Sequence, residues 1–225
     1  MSHVNKDLFK FFRDLTKNND RDWFTRNKPR YERDVKEPLL QFISDFGPHL
    51  RRINSHLVAD PRPVGGSLFR IHRDVRFSSD KSPYKTHAGV RFPHEESKTV
   101  HAPGYYLHLE PGAVFAAAGI WHPDPVTLKK VRDAIVVDSS GWKRATSQSL
   151  RGKCTLGGES LKKIPRGYDP DHPFASDLKR KDFIVYIPFS ETEACSKDFM
   201  KRFGTACLTM KPILGFLSRA VGASW

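Results

Sequence analysis

Residues 104–121 read GYYLHLEPGAVFAAAGIW, and this stretch decides the fold. Residues 104–110 alternate apolar and polar side chains, which is the period of a strand with one buried face. Glu110-Pro111-Gly112 predicts a tight turn, and residues 113–121 continue as a second strand of small apolar residues. Two strands joined by so short a turn run antiparallel, because a parallel pair needs a crossover of a dozen or more residues. The stretch therefore predicts an antiparallel hairpin.

Further strands and helices flank this hairpin. Strands are predicted over residues 69–77, 86–92 and 183–189, and the first two lie too close together for helical crossovers. Helical spacing of apolar residues predicts helices over 5–17, from Trp23 to before Pro29, and over about 30–57, 124–137, 139–149 and 190–221, the last split near Gly204 and Pro212. The order helix, sheet, helix predicts an α+β fold, with an antiparallel sheet and helices packed mainly on one face. We expect one domain over residues 1–225.

Composition limits the location of the protein. The first residues are charged and provide no signal-peptide core, and no stretch approaches the roughly 20 apolar residues of a membrane span. The three cysteines, Cys154, Cys195 and Cys207, show no paired spacing typical of a disulfide framework or a metal site. We therefore predict a cytoplasmic protein without a membrane partner.

The net charge of +13 suggests an anionic partner. The excess of basic over acidic residues is divided among residues 1–52, 70–91 and 149–181. Each segment has a net charge of +4 and contains interleaved acidic residues. No run of like charges exceeds three residues, and no RNA-binding signature is present. A nucleic-acid partner is therefore an alternative to a small anionic ligand.

The densest polar segment is FRIHRDVRFSSDKSPYKTH, residues 69–87. If residues 69–77 alternate as a strand, several arginines share one face, and arginine forks suit phosphate or carboxylate groups. We predict a pocket for a small anionic ligand there, closed by the 162–173 loop. The predicted ligand-binding residues are Arg70, Arg73, Arg76, Lys81, Tyr84, Lys85, His108 and Arg166. Asp74 or His87 could act as acid or base if the protein is a hydrolase or transferase.

Residues 70–87, RIHRDVRFSSDKSPYKTH, closely resemble the signature of domain-of-unknown-function family 2461. Other matching segments are NNDRDWFTRNKPRYE (18–32), GYYLHLEPG (104–112), AGIWHP (118–123) and LKKIPRGYDPDHPFASDLKRKDF (161–183). The resemblance covers nearly the whole chain and implies a single domain. It supplies no reaction, so no catalytic role follows from it.

Two other interpretations fit the same residues. The arginines could pair with Asp74, Asp80 and Glu110 in a network that only stabilises the fold. A metal could be bound where His72, Asp74, His87, His108 and Glu110 converge. No HExxH, HxH or paired-cysteine spacing supports a metal, and nearby arginines repel a cation. The sequence therefore assigns no metal ligand, and it identifies no cofactor and no reaction.

Overall fold

The computed structural model describes residues 3–98, 101–151 and 154–225. The N-terminal helices are α1 (Lys6–Lys17), α2 (Arg21–Tyr31) and α3 (Glu37–Ile53). The later helices are α4 (Pro125–Val137), α5 (Ser139–Arg151), α6 (Ala175–Leu178), α7 (Glu191–Ala194) and α8 (Phe199–Val221). Among the described helices, none is both long enough and apolar enough to cross a bilayer.

The described strands form one antiparallel sheet of five strands, in the order β1-β2-β3-β5-β4. They are β1 (Ala88–Phe92), β2 (Gly104–Glu110), β3 (Ala113–Ile120), β4 (Thr155–Gly157) and β5 (Phe183–Phe189). The hairpin predicted from residues 104–121 is confirmed as β2 and β3, paired with Leu107 opposite Ala116. The α+β fold is confirmed as well.

Helices cover one face of the sheet, here called the inner face. They pack there because every second side chain along a strand is apolar and lies on that face. Tyr105, Leu107 and Leu109 of β2 are buried, and helix α8 packs directly against β3. The hydroxyl of Tyr105 donates a 2.7 Å hydrogen bond to the carbonyl of Cys207, which ties β2 to α8. The outer face carries Tyr106, His108 and Glu110 of β2, as the alternation predicts.

The strand predicted over residues 69–77 is wrong. Residues 67–73 run along the free edge of β1, but only isolated bridges form, Leu68 with Val90 and His72 with Tyr84. These two bridges differ in register by two residues, so the pairing breaks between them. The side chain of Phe77 is 95% exposed, although the alternation places it on the buried face.

The helix prediction fails at two prolines. Helix α2 continues through Pro29 into a π-helical turn, Glu32–Lys36, which leads directly into α3. Helix α8 runs unbroken through Gly204 and Pro212, where the sequence predicts a split. It packs on β3, α3, α4 and α5, and these contacts outweigh the cost of a helical proline, about 3 kcal/mol.

Candidate functional site

Residues 69–87, here called the arm, leave the edge of β1 and return to it. Backbone bonds from Arg73 to Pro83, 2.9 Å, and from Lys85 to Ile71, 2.8 Å, hold its two sides together. At the tip, Asp80 accepts a 2.9 Å bond from the backbone N–H of Ser82. A carboxylate that accepts from the N–H two residues further on stabilises a turn, so this bond helps to hold the tip in place.

Several cations of the arm are used inside the arm itself. The guanidinium of Arg76 donates two bonds to Asp74, 3.0 and 2.8 Å long, and Arg73 binds Asp80. The ammonium of Lys81 donates to the carbonyl of Val75 at 3.0 Å. These pairs lie close in sequence and stabilise the arm's own conformation rather than crossing the sheet.

A second group of cations is called here the cationic shelf: Lys85 and Arg91, which lie beside the ring of Phe69, and Arg70, which is within electrostatic range of Lys85. The Lys85 ammonium lies 5.4 Å and the Arg91 guanidinium 5.7 Å from the centre of the Phe69 ring. Lys85 also donates a 2.8 Å bond to the carbonyl of Arg70. Burial and the positive charge of Arg70 lower the pKa of Lys85. In the part of the chain that the structure describes, the guanidinium groups of Arg70 and Arg91 donate no hydrogen bond.

Beside the shelf lies the histidine cluster, which comprises His87, His108 and Glu110. The ring centres of His87 and His108 are 4.4 Å apart, and Nε2 of His108 lies 3.1 Å from Oε2 of Glu110. One donor atom from each of the three residues can be chosen so that all lie within 4.8 Å of one another. Strand β2 positions His108 and Glu110 on the same face because they are two residues apart.

Neighbouring side chains hold this cluster in place. The ring of Phe115 stacks on His108 at 4.6 Å, and the Tyr106 hydroxyl lies 3.0 Å from Nδ1 of His108. The hydroxyl of Thr86 donates a 2.9 Å bond to Oε1 of Glu110. Sequence reasoning missed all three supporting residues. The β2–β3 register, which places Phe115 opposite His108, could have identified Phe115.

Burial and neighbouring charges set the protonation of the cluster. Burial, reinforced by the charge of His108, lowers the pKa of His87 to about 4. Burial likewise lowers the pKa of His108 against the opposing effect of Glu110. Burial tends to raise the pKa of Glu110, but the hydrogen bonds from His108 and Thr86 outweigh it and the pKa falls. At neutral pH the cluster therefore contains two uncharged imidazoles and one carboxylate.

The other two predicted ligand-binding residues lie outside both the cationic shelf and the histidine cluster. Tyr84 is buried, and its ring stacks on Phe24 with the ring centres 4.1 Å apart. Arg166 is exposed in the 162–173 loop. The Tyr168 hydroxyl anchors that loop to α4 through a 2.9 Å bond to Asp133. Closure of the site by this loop stays a prediction.

A separate cleft of about 370 Å³ lies between α5 and α8. Arg144, Lys211 and Arg219 contribute positive charge to it, and Trp225 forms part of its wall. None of the residues predicted from the sequence lines this cleft. The arm and the histidine cluster therefore remain the candidate site.

The fold and this site define an α+β protein with a polar, histidine-bearing outer sheet face. The sequence profile of the conserved hypothetical proteins of domain-of-unknown-function family 2461 matches residues 7–216. The chain belongs to this family, and the resemblance noted at residues 70–87 is confirmed. Comparison with curated proteins finds no match.

Proposed function

We propose that this protein binds a small anionic ligand, bearing phosphate or carboxylate groups, at the cationic shelf. One observation carries the proposal: among the described residues, the guanidinium groups of Arg70 and Arg91 donate no hydrogen bond. Each guanidinium has five N–H donors in a planar fork that matches these anions. The ammonium of Lys85 has three donors, and its hydrogen bond to a described residue is the one to the carbonyl of Arg70.

The alternative, a network that only stabilises the fold, accounts for part of the arm. Asp74 and Asp80 neutralise Arg76 and Arg73, and both pairs are at least partly exposed. Such pairs contribute little stability, typically about 0.2–1 kcal/mol. Among the described residues no carboxylate forms an ion pair or hydrogen bond with the shelf: Asp74 lies within electrostatic range of Arg70 but is bound by Arg76, and Glu110 is occupied by His108 and Thr86. The proposal therefore gives Arg73, Arg76 and Lys81 the role of shaping the arm.

A hydrolase or transferase reaction on the bound ligand would use His87 rather than Asp74 as acid or base. Hydrogen bonds from Arg76 lower the pKa of Asp74, which makes its carboxylate a weak base. His87 lies within electrostatic range of Lys85 and is half-buried beside His108. The proposal also includes a cytoplasmic location, which agrees with three free cysteines.

The test is calorimetric titration of the full chain with inorganic phosphate, pyrophosphate and acetate at low salt. We expect Arg70→Gln and Arg91→Gln each to weaken binding about 10- to 150-fold, since a bond to a charged group contributes about 1.5–3 kcal/mol. Arg76→Gln is the matched control and should weaken binding much less than either substitution, because Arg76 is already paired with Asp74 and affects only the shape of the arm.

Two results would contradict the proposal. The first is no binding of any of the three anions, and the second is an equal loss in the Arg76→Gln control. Titration with a short single-stranded oligonucleotide tests the nucleic-acid alternative. Oligonucleotide affinity that falls steeply with salt, without competition from phosphate, would favour that alternative.

A further inference from the structure

We propose that the histidine cluster is a binding site for one divalent transition-metal ion, with His87, His108 and Glu110 as ligands. Donor atoms of the three residues already lie within 4.8 Å of one another. The site does not use the cationic shelf, so this inference goes beyond the proposed function and can fail independently of it.

The spacing of two ligands already suits a metal. Donors about 2.0–2.2 Å from one ion are separated by about 2.8–3.6 Å for octahedral or tetrahedral angles. Nε2 of His108 and Oε2 of Glu110 are 3.1 Å apart. The third ligand, His87, precedes β1, and within the described residues its ring makes no hydrogen bond.

The surroundings of the cluster resemble the outer shell of a metal site. Metal-binding histidines usually have a partner on the second ring nitrogen, and ligating carboxylates are themselves hydrogen-bonded. Tyr106 provides that partner for Nδ1 of His108, and Thr86 binds the second oxygen of Glu110. Phe115 stacks on the His108 ring and fixes its plane. Both β2 ligands are thus oriented before any ion arrives.

The donor set indicates the class of metal. Two imidazoles and one carboxylate are ligands of zinc and of ferrous iron, whereas magnesium and calcium prefer oxygen ligands alone. Three protein ligands leave at least one coordination position for water or for an oxygen of an anionic ligand. In this arrangement His87 is a metal ligand, which excludes its use as an acid or base.

A second histidine–glutamate group provides a contrast. Nδ1 of His56 lies 2.6 Å from Glu95, and His94 stacks beside His56. Both ring nitrogens of His94 are occupied, one near the carbonyl of Ser224 and one by the backbone N–H of Glu96. Among the described residues this group does not bring three donor atoms as close together as the histidine cluster does, so His56 provides a matched control.

The competing explanation is that these side chains only form a series of hydrogen bonds and bind no metal. The Tyr106 hydroxyl can donate to Nδ1 of His108, and the Nε2 proton can then be donated to Glu110. Lys85 also lies close enough to His87 to disfavour a cation electrostatically. A direct measurement of metal binding separates the two explanations.

The experiment uses the full chain, stripped with a chelator and dialysed. It is titrated with Zn²⁺ by calorimetry, with Co²⁺ by visible absorption, and anaerobically with Fe²⁺. We expect one ion per chain and a visible Co²⁺ spectrum. His108→Gln and Glu110→Gln should each weaken Zn²⁺ binding at least about 10-fold, as should His87→Gln, while His56→Gln has no effect.

Several outcomes would overturn the site: no stoichiometric binding of any of the three ions, unchanged affinity in the cluster variants, or an equal loss in His56→Gln. Circular dichroism checks that each variant is folded. If His108→Gln does not fold, NMR of the unchanged protein replaces it as the test. Zn²⁺ addition should then change the ¹⁵N chemical shifts of the His87 and His108 imidazoles, and unchanged shifts would refute the site. Two titrations separate the metal proposal from the anion proposal. Phosphate titration of the metal-free protein tests the anion site alone, and Zn²⁺ titration of Arg70→Gln tests the metal site alone.

Discussion

The substitution Asp182→Asn should destabilise the protein strongly although it removes no bulk. The carboxylate of Asp182 is completely buried. Its Oδ1 accepts a 2.8 Å bond from the backbone N–H of His122, and its Oδ2 accepts a 3.0 Å bond from that of Glu159. An amide has only one oxygen, so one of these N–H groups would face another donor. His122 depends on this bond, since its φ of 48° is unusual for a residue other than glycine.

The magnitude follows from these two bonds. A buried donor left without a partner costs about 1–3 kcal/mol, and the remaining bond loses about 1 kcal/mol when its acceptor becomes neutral. The total loss in unfolding free energy is about 2–4 kcal/mol, which lowers the Tm of a chain of this size by about 4–16 °C.

Thermal unfolding followed by circular dichroism measures this effect. The matched control is Asp138→Asn. Asp138 is exposed and caps the start of α5 with a 2.8 Å bond from the N–H of Gly141. Asparagine caps helices as well as aspartate does, so the control should change the Tm little. A Tm for Asp182→Asn within about 1 °C of the control would refute the reasoning.

Three further predictions concern stability and reactivity. Gly119→Ala should prevent folding or cost more than about 3 kcal/mol in chemical denaturation, because an added Cβ would lie within 1.9 Å of the carbonyl oxygen of Phe183. Ser190→Ala should lower the Tm by about 2–4 °C, because it removes the capping box formed with Glu193 and loses about 1 kcal/mol. Burial raises the pKa of Cys154 to about 11, so alkylation of the folded protein by iodoacetamide at pH 8 should be slow at this thiol and rapid in denaturant. Equal folded and unfolded rates would contradict the last prediction.

The sequence predicted the central hairpin correctly because its signals are local. The alternation in residues 104–110 and the turn at Glu110-Pro111-Gly112 need no distant contact to be recognised. The same holds for Phe183–Phe189 and for α1, which matches the helix predicted over 5–17. The side chain of Asn5 accepts bonds from the N–H groups of Asp7 and Leu8, a cap encoded within four residues.

The arm was mispredicted because its alternation resembles that of a strand. In the structure its two sides pair with each other instead, through backbone bonds from Arg73 to Pro83 and from Lys85 to Ile71. That pairing turns the backbone away from β1, and Phe77 is left exposed. Of the residues predicted to bind an anion, Arg70 and Lys85 lie in the shelf, whereas Tyr84 is packed against Phe24.

The sequence by itself determined the α+β class, the hairpin, the boundaries of α1 and α4, and the region where charge accumulates. These features depend on periodicity, capping and turn residues, which act over a few positions. Only the tertiary structure decided that α8 is continuous and that His87 lies beside His108 and Glu110. Both depend on contacts between residues far apart in the chain: packing free energy outweighs a helical proline, and strand register brings β1 beside β2.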